Sequence, residues 1–433
     1  MKSTPAWFRN VTTYTRWPQM PRAHGPFGKD RITAHERRDL AGVPLYLNVQ
    51  HASAVNDAHR LGGRALSYIS FYDTYVHTEG FENGTARAPW DPRRAPMLLL
   101  DARGAFVNTP MDSSRRMWRY LVCNNTREYV EAALEMVREQ MERGADGLFI
   151  DNSGSRTSCY GHGVPVGYSE QYRQVITAIP TWPDGEEAQR TPPEELFRKG
   201  IRPGFRPLKY LRDLPRHRHI HPDRAHDHAF GQLLRRVRAL VRSYGRDRII
   251  VVNGERMAEC ADGVMIESYI YSWAWKGPRV DWAWLRKTAA KWQRYVANGG
   301  RVLALSYVGQ SDRAASEEAL YACAAAAMSG FLWSDYGTCK DAVGARLRRA
   351  RLGGLTTPMR ERDGIAWALF RSGAAIVNAT PSRRRFDLDV PPALRRGLID
   401  IRTGEAAGTG STLRLTLPPH SGTMLCTDVA DGY

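Results

Sequence analysis

Gly147-Leu148-Phe149-Ile150-Asp151-Asn152 and Gly263-Val264-Met265-Ile266-Glu267-Ser268-Tyr269 are two short apolar runs, each opened by a glycine and each stopping on a carboxylate. A run of that length bounded by turn residues predicts a strand buried on both faces, as in a parallel sheet. An acid at the C-terminal end of such a strand stands where barrel enzymes place their reactive groups.

The segments around these runs supply the helices that a parallel sheet requires. After a possible N-cap at Asn125, with Glu128 three residues on, Val130, Leu134, Val137 and Met141 keep one apolar face until Gly144. Phe230, Leu233, Leu234, Val237, Leu240 and Val241 form a second stripe, ended by Gly245 before Ile249-Ile250-Val251-Val252. Leu285, Ala289, Trp292 and Val296 form a third, ahead of Gly299-Gly300 and Val302-Leu303-Ala304-Leu305. Strands are expected at 10–14, 44–49, 65–71, 147–151, 248–253, 263–268, 301–307 and 330–333. Eight strands alternating with helices predict an α/β fold, a (β/α)8 TIM barrel over 1–350.

Two stretches break the alternation, at about 73–118 and 153–225, and both follow strand C-termini, where loops shape a substrate site. The first carries Pro89, Pro92, Pro96 and Pro110 and reads as a long loop. After the basic, glycine-containing segment 346–354 the pattern changes to short alternating strands at 365–370, 374–378, 386–390, 398–401, 412–417 and 423–426. They predict a C-terminal antiparallel β-sandwich over 355–433.

With 42% hydrophobic and 25% charged residues, the 433-residue chain has the composition of a globular protein, and no apolar run approaches the ~20 residues of a membrane span. Neither a membrane nor nucleic acid is expected as partner. The net charge of +17, from 62 basic and 45 acidic residues, favours anionic partners. Arg235, Arg236, Arg238 and Arg242 nevertheless fall on the polar side of one predicted helix and read as a solvated face. The six cysteines form no CxxC pair, so neither a zinc cluster nor a disulfide scaffold is expected. Met1-Lys2-Ser3-Thr4-Pro5-Ala6-Trp7-Phe8-Arg9 lacks the apolar stretch of a secretory signal, which points to the cytoplasm if this start is native and to secretion if a leader was removed.

Ala145-Asp146-Gly147-Leu148-Phe149-Ile150-Asp151-Asn152 resembles the fourth-strand motif of barrel glycoside hydrolases, whose strand-ending Asp is catalytic. Asn253-Gly254-Glu255, followed by Ala261-Asp262-Gly263-Val264-Met265-Ile266-Glu267-Ser268-Tyr269, is similar to the fifth- and sixth-strand region of endo-α-polygalactosaminidase-like and related glycosyl hydrolase families. The run from Ile399-Asp400-Ile401-Arg402-Thr403-Gly404-Glu405 to Leu413-Arg414-Leu415-Thr416-Leu417-Pro418-Pro419-His420-Ser421-Gly422 is similar to the β-sandwich that closes amylase-like enzymes. The resemblance implies a retaining glycoside hydrolase acting on α-linked poly- or oligosaccharides, with Asp151 as nucleophile, Glu267 as general acid/base and no cofactor. Glu255, two residues past the fifth strand, is the rival acid. Retention requires the two carboxyl groups roughly 5 to 5.5 Å apart, against ~6.5 to 9.5 Å for inversion. A cationic polymer would be repelled by this chain, so a neutral or acidic glycan is expected.

Strand ends place further candidates against sugar hydroxyls: Tyr68, Tyr72, Asp73, Asn152, Asn253, Tyr269, Tyr307, Asp335 and Tyr336. Trp273, Trp275 and Trp333 are candidates to stack on sugar faces. His217, His219, His221, His226 and His228 crowd one insertion, but Arg216, Arg218 and Arg224 among them oppose a cation, and no metal is expected. A transglycosylase would use the same acid pair with an acceptor hydroxyl in place of water. A non-catalytic carbohydrate-binding protein on a degenerate barrel and a basic nucleic-acid binder are the competing classes, the latter needing arginines gathered on one face with exposed aromatics between them.

Overall fold

The computed structural model describes residues 4–19, 29–71, 73–77, 108–110, 117–122, 127–151, 222–255, 257–271, 282–309, 314–395 and 397–427. The chain divides into two compact units, one of residues 1–68, 140–149 and 245–433 and one of residues 69–139 and 150–244.

Eight strands form one sheet in chain order: β1 (Thr15–Arg16), β2 (Leu45–Leu47), β3 (Arg64–Ser70), β4 (Gly147–Asp151), β5 (Ile249–Asn253), β6 (Gly263–Ile266), β7 (Arg301–Leu305) and β8 (Leu332–Ser334). The pairing is parallel, with Leu45 opposite Arg64, Asn253 opposite Met265, Met265 opposite Leu303 and Leu303 opposite Leu332. The sheet closes through the segment leading into β1. Tyr14 N donates to Trp333 O at 3.1 Å and Trp333 N to Thr12 O at 3.0 Å, while Trp17 N reaches Leu47 O on the other side at 2.8 Å. Residues 12–17 thus pass from β8 to β2 and join first strand to last in a (β/α)8 barrel. The first strand therefore lies later than the expected 10–14, because residues 6–10 form a short helix, α1 (Ala6–Asn10).

Alternation along the strands sorts their residues. Tyr14, Leu45, Leu47, Leu66, Phe149, Ile249, Val251, Met265, Leu303, Leu305 and Leu332 share one core cluster. Their neighbours one position on point to the opposite face. The glycines opening β4 and β6 answer to close approach: a Cβ on Gly147 would collide with the backbone of Ile249, and one on Gly263 would lie 3.1 Å from both Phe8 and Val251. The preceding aspartates clamp the neighbouring strand. Asp146 Oδ2 accepts from Ala65 N at 2.9 Å and Asp262 Oδ2 from Ile250 N at 3.0 Å.

The helices of this unit are α2 (Ala34–Leu40), α3 (Ala52–Arg60), and, after α4 (Arg127–Glu142) and α5 (Pro222–Ser243), α6 (Trp282–Ala297), α7 (Ala315–Met328) and α8 (Ala342–Arg349). A capping box between Thr33 and Glu36 starts α2, and the Asp341 side chain accepts from Gly344 N to start α8. No helix among the described residues is long and apolar enough to cross a membrane.

The C-terminal strands are β9 (Arg360–Arg362), β10 (Ile365–Phe370), β11 (Gly373–Asn378), β12 (Arg384–Asp389), β13 (Ile399–Asp400), β14 (Thr412–Leu417) and β15 (Ser421–Cys426). They form a five-stranded sheet, ordered β9-β10-β11-β15-β13, and a β12-β14 pair. Ile365, Ile376, Phe386, Leu388, Leu413, Leu417 and Leu425 interleave between them, as a β-sandwich requires. Helix α7 packs on β8 and also on β11 and β15, which joins the sandwich to the barrel. Its backbone runs so close to the sheet that a Cβ on Gly422 would sit 2.9 Å from Tyr321 Cα.

In the second unit, α5 buries Phe230, Leu233, Leu234, Val237 and Val241 and leaves Arg235 and Arg236 exposed. Within 73–118, read above as a loop, three short antiparallel strands lie instead, at Asp73–His77, Asn108–Pro110 and Met117–Leu121, with the last in the middle. Strands of three to five residues are too short to show a period in sequence.

Candidate active site

The period-two rule that fills the barrel also decides what stands at its C-terminal rim. Two residues beyond an inward core residue comes the next inward one. Leu66 is thus followed by Tyr68, Val251 by Asn253, Met265 by Glu267 and Leu305 by Tyr307. Each of these is polar or half-buried where the residue before it was apolar.

Glu267 is exposed, and its two oxygens differ. Tyr307 Oη donates to Oε1 at 2.6 Å, whereas Asn253 Nδ2 reaches Oε2 only at 3.4 Å. Both donors are neutral. Burial pushes the Tyr307 hydroxyl far above the ordinary tyrosine range, helped by its bond to Glu267 and that residue's charge and by Tyr336, and opposed by Arg16. Tyr307 therefore stays a donor to Oε1.

Strain surrounds this acid. Strand β6 stops at Ile266, short of the expected 268, because Ser268 and Ile270 adopt φ of 62° and 67°. For a β-branched residue that conformation is an outlier. Tyr271 N donates to Tyr269 O at 2.8 Å across Ile270, closing a three-residue turn. Tyr269 N donates to Leu305 O at 2.7 Å, Ser306 Oγ to Tyr269 O at 2.6 Å and Tyr307 N to Tyr271 O at 3.1 Å. These bonds pin the turn to β7 and fix where Glu267 projects. Among the described residues, four of the six non-glycine residues at positive φ, Asn48, Ser268, Ile270 and Tyr336, lie just past the C-terminal ends of barrel strands. Strain of this kind concentrates at functional sites.

Two residues of the site have no counterpart among the sequence candidates. Tyr14 is fully buried and its hydroxyl has no hydrogen-bond partner among the described residues. Burial pushes that hydroxyl well above the ordinary range, and Tyr336, Tyr307, Glu267 and Asp335 act in the same direction. Arg16, two residues on, has its guanidinium 5.6 Å from the centre of the Tyr336 ring, and its buried Nε is unpartnered. The signal was the spacing within Thr12-Thr13-Tyr14-Thr15-Arg16, where residues two apart share a face, but no apolar run marks the segment as a strand.

Other sequence candidates take other places. Glu255 is exposed and forms an ion pair with Lys291 of α6. Asp335 is 1% exposed and turned inward, accepting from Gly337 N at 2.8 Å and Cys339 N at 2.7 Å beside Arg348 at 3.5 Å. Its carboxylate is occupied by its own turn and offers nothing to a sugar. Trp333 and Tyr269 are likewise buried. Trp333 follows inward-facing Leu332, so its indole takes the outer face and donates to Ser306 Oγ at 3.1 Å. Tyr269 packs against Trp284 and Phe331. Neither ring presents a face to a ligand. Tyr68 is half-buried, with its ring centroid 6.1 Å from that of Phe149.

Asp151 ends β4, partly buried, on the face of that strand that carries Phe149. It belongs to the second unit. Asp73 opens a strand of that unit. Tyr72, Asn152, Trp273, Trp275 and the histidines at 217, 219 and 221 lie outside the described residues.

No family model and no curated protein matches the sequence. Solved structures are similar in backbone course. The glycoside hydrolase domain of PelA from Pseudomonas aeruginosa is 13% identical over 75% of this chain and 96% of that one, with a TM-score of 0.37. Isomaltulose synthase from Klebsiella sp. LX3 is 10% identical over 98% and 99%, with a TM-score of 0.49. The Nostoc punctiforme debranching enzyme, soaked with acarbose, is 13% identical over 98% and 99%, with a TM-score of 0.44. At that level the likeness carries no argument about chemistry.

Proposed function

We propose that the protein is a retaining glycoside hydrolase acting on an α-linked poly- or oligosaccharide, with Glu267 as general acid/base and Asp151 as nucleophile. The observation that carries this reading is Glu267 itself: an exposed acid at a barrel rim, on a strained turn, held by tyrosine and asparagine donors and paired with no cation among the described residues. An acid serving stability is neutralised, as Glu255 is by Lys291, which is why Glu255 is the weaker choice. An acid that must give and retake a proton gains from neutral donors, which orient it without locking its charge.

In this mechanism the Asp151 carboxylate attacks the anomeric carbon while the bond to the leaving oxygen breaks and Glu267 delivers its proton to that oxygen. Glu267 then takes a proton from water, whose oxygen displaces Asp151 and restores the starting configuration. Asn253 and Tyr307 orient Glu267 throughout.

The test is hydrolysis of a panel of α-linked glycans, with product anomers resolved by NMR. Retained α-configuration is expected, with loss of activity in both Asp151→Asn and Glu267→Gln. Activity surviving in either variant would reject that residue's role, a β-product would replace retention by inversion, and transfer to added acceptor sugar in preference to water would identify a transglycosylase.

A further inference from the structure

The C-terminal sandwich carries a cleft of about 810 Å³, whose lining includes Arg362, Arg383, Arg384, Arg385 and Arg414. Against five arginines stand two carboxylates, Asp363 and Asp387. Arg414 lies directly opposite Asp387 in the β12-β14 ladder, yet none of the described ion pairs joins a cleft arginine to either aspartate. Self-repulsion among unneutralised guanidinium groups is a cost that an anionic ligand would relieve.

The cleft is built rather than incidental. Buried Asn378 stitches the arginine-bearing loop through its whole amide: Nδ2 donates to Ser382 O at 2.8 Å, Leu417 O at 3.2 Å and Pro418 O at 2.7 Å, while Oδ1 accepts from Thr380 N at 3.0 Å and Thr380 Oγ1 at 2.8 Å. Arg362 is positioned over the rings of Phe386 and Trp367, at 5.7 Å and 6.0 Å. Arg362, held in place before binding, loses less freedom when a ligand arrives.

The chemistry of the cleft separates polyanions. Nucleic-acid binding without sequence preference uses exposed aromatic rings on which bases stack. Here Phe386 is 5% exposed and Arg362 covers it, and the exposed large apolar residues among those described, Met136, Tyr244 and Leu355, do not line the cleft. Forked guanidinium donors without a stacking platform fit repeated carboxylates.

We propose that this cleft binds a carboxylated, uronic-acid-containing polysaccharide, holding through its acid groups the polymer on which the barrel acts. The proposal rests on the hydrolase reading for its choice of glycan. The probes are polygalacturonate, its fully methyl-esterified form and single-stranded DNA of equal charge, with affinities measured on the full chain at low and moderate salt. Polygalacturonate is expected to bind, to weaken as salt is raised, and to exceed the ester by at least about tenfold. The triple variant Arg383→Gln/Arg385→Gln/Arg414→Gln should lower polygalacturonate affinity by at least about tenfold with an unchanged melting temperature, because all three side chains are exposed. Arg385→Lys, which keeps the charge and loses the fork, should fall between. Equal affinity for acid and ester, full binding by the triple variant, or DNA binding as tight as polygalacturonate would each overturn the proposal. The two readings fail separately: polygalacturonate binding with no hydrolysis of any glycan sinks the hydrolase alone, and hydrolysis of neutral glycans without polygalacturonate binding sinks the cleft alone.

Discussion

Strands β4 and β6 are built alike, each opened by Ala-Asp-Gly and each followed by three apolar residues and an acid, yet the acids at their two ends live in opposite environments. At the N-terminal ends, Asp146 and Asp262 are 2% and 0% exposed. Asp146 meets Arg64 at 2.8 Å, His59 at 2.7 Å and Arg248 at 3.5 Å, besides the Ala65 backbone. At the C-terminal ends, Asp151 is partly buried and Glu267 is exposed, the latter in the company of Tyr307 and Asn253. Asp146, Asp262 and Glu267, in equivalent sequence settings, thus divide by what surrounds them. Burial with cations or backbone donors makes an acid part of the fold, and exposure with neutral donors leaves it available for reaction.

Substitutions at the two ends should therefore separate activity from stability. The largest effect is expected at the C-terminal ends: Glu267→Gln and Asp151→Asn should each lower kcat by about 10³-fold or more while shifting the melting temperature by little, measured by hydrolysis rates beside thermal unfolding. A large loss of stability in either would erase the contrast. Next, Asp146→Ala should destabilise by about 3–5 kcal/mol in denaturant titrations, because it strands Arg64 and Arg248 together with the Ala65 N–H. Tyr307→Phe removes the donor to Glu267 Oε1 and keeps the ring, so about a tenfold loss in kcat with a displaced pH profile is expected. An unchanged profile would mean that Tyr307 merely packs.

The smallest effect concerns an acid outside both strands. Burial raises the Asp341 carboxyl, but its bonds from Gly344 N, Cys339, Ser316 and Val343 N outweigh burial and hold it below the ordinary carboxylate range. A depressed folded-state value stabilises above the unfolded value and is lost as pH falls through the folded one. Asp341→Ala should accordingly cost about 1 kcal/mol at neutral pH. That cost should fall as pH drops through the depressed folded-state value, and vanish once the carboxylate is protonated in both states. A pH-independent cost would show that shape rather than charge makes the cap.

The barrel was legible wherever an amphipathic helix led into an apolar strand, as for α5 into β5 and α6 toward β7. Helix α7 escaped that reading because small residues occupy all its sides, from Ala319 and Ala322 to Ala324–Ala327, and all are buried. A helix packed between barrel and sandwich has no solvent face and so shows no stripe. The site divided in the same way. Glu267, Asn253 and Tyr307 end apolar runs and could be found. Tyr14 and Arg16 lie in a polar segment whose strand character comes from pairing with β8 and β2. Asp335 and Trp333 also lie at a strand end, but only in the folded chain does one cap its own turn and the other face outward.

By itself the order of residues determined the kind of elements, their alternation, the change to a second β-rich domain and the acids at strand ends, because hydrophobic period and turn chemistry are local. Tertiary structure decided which of those acids are neutralised, where the first strand begins and which arginines share a cleft. Those outcomes depend on which distant groups come within hydrogen-bonding reach, a property of the folded chain that no local pattern encodes.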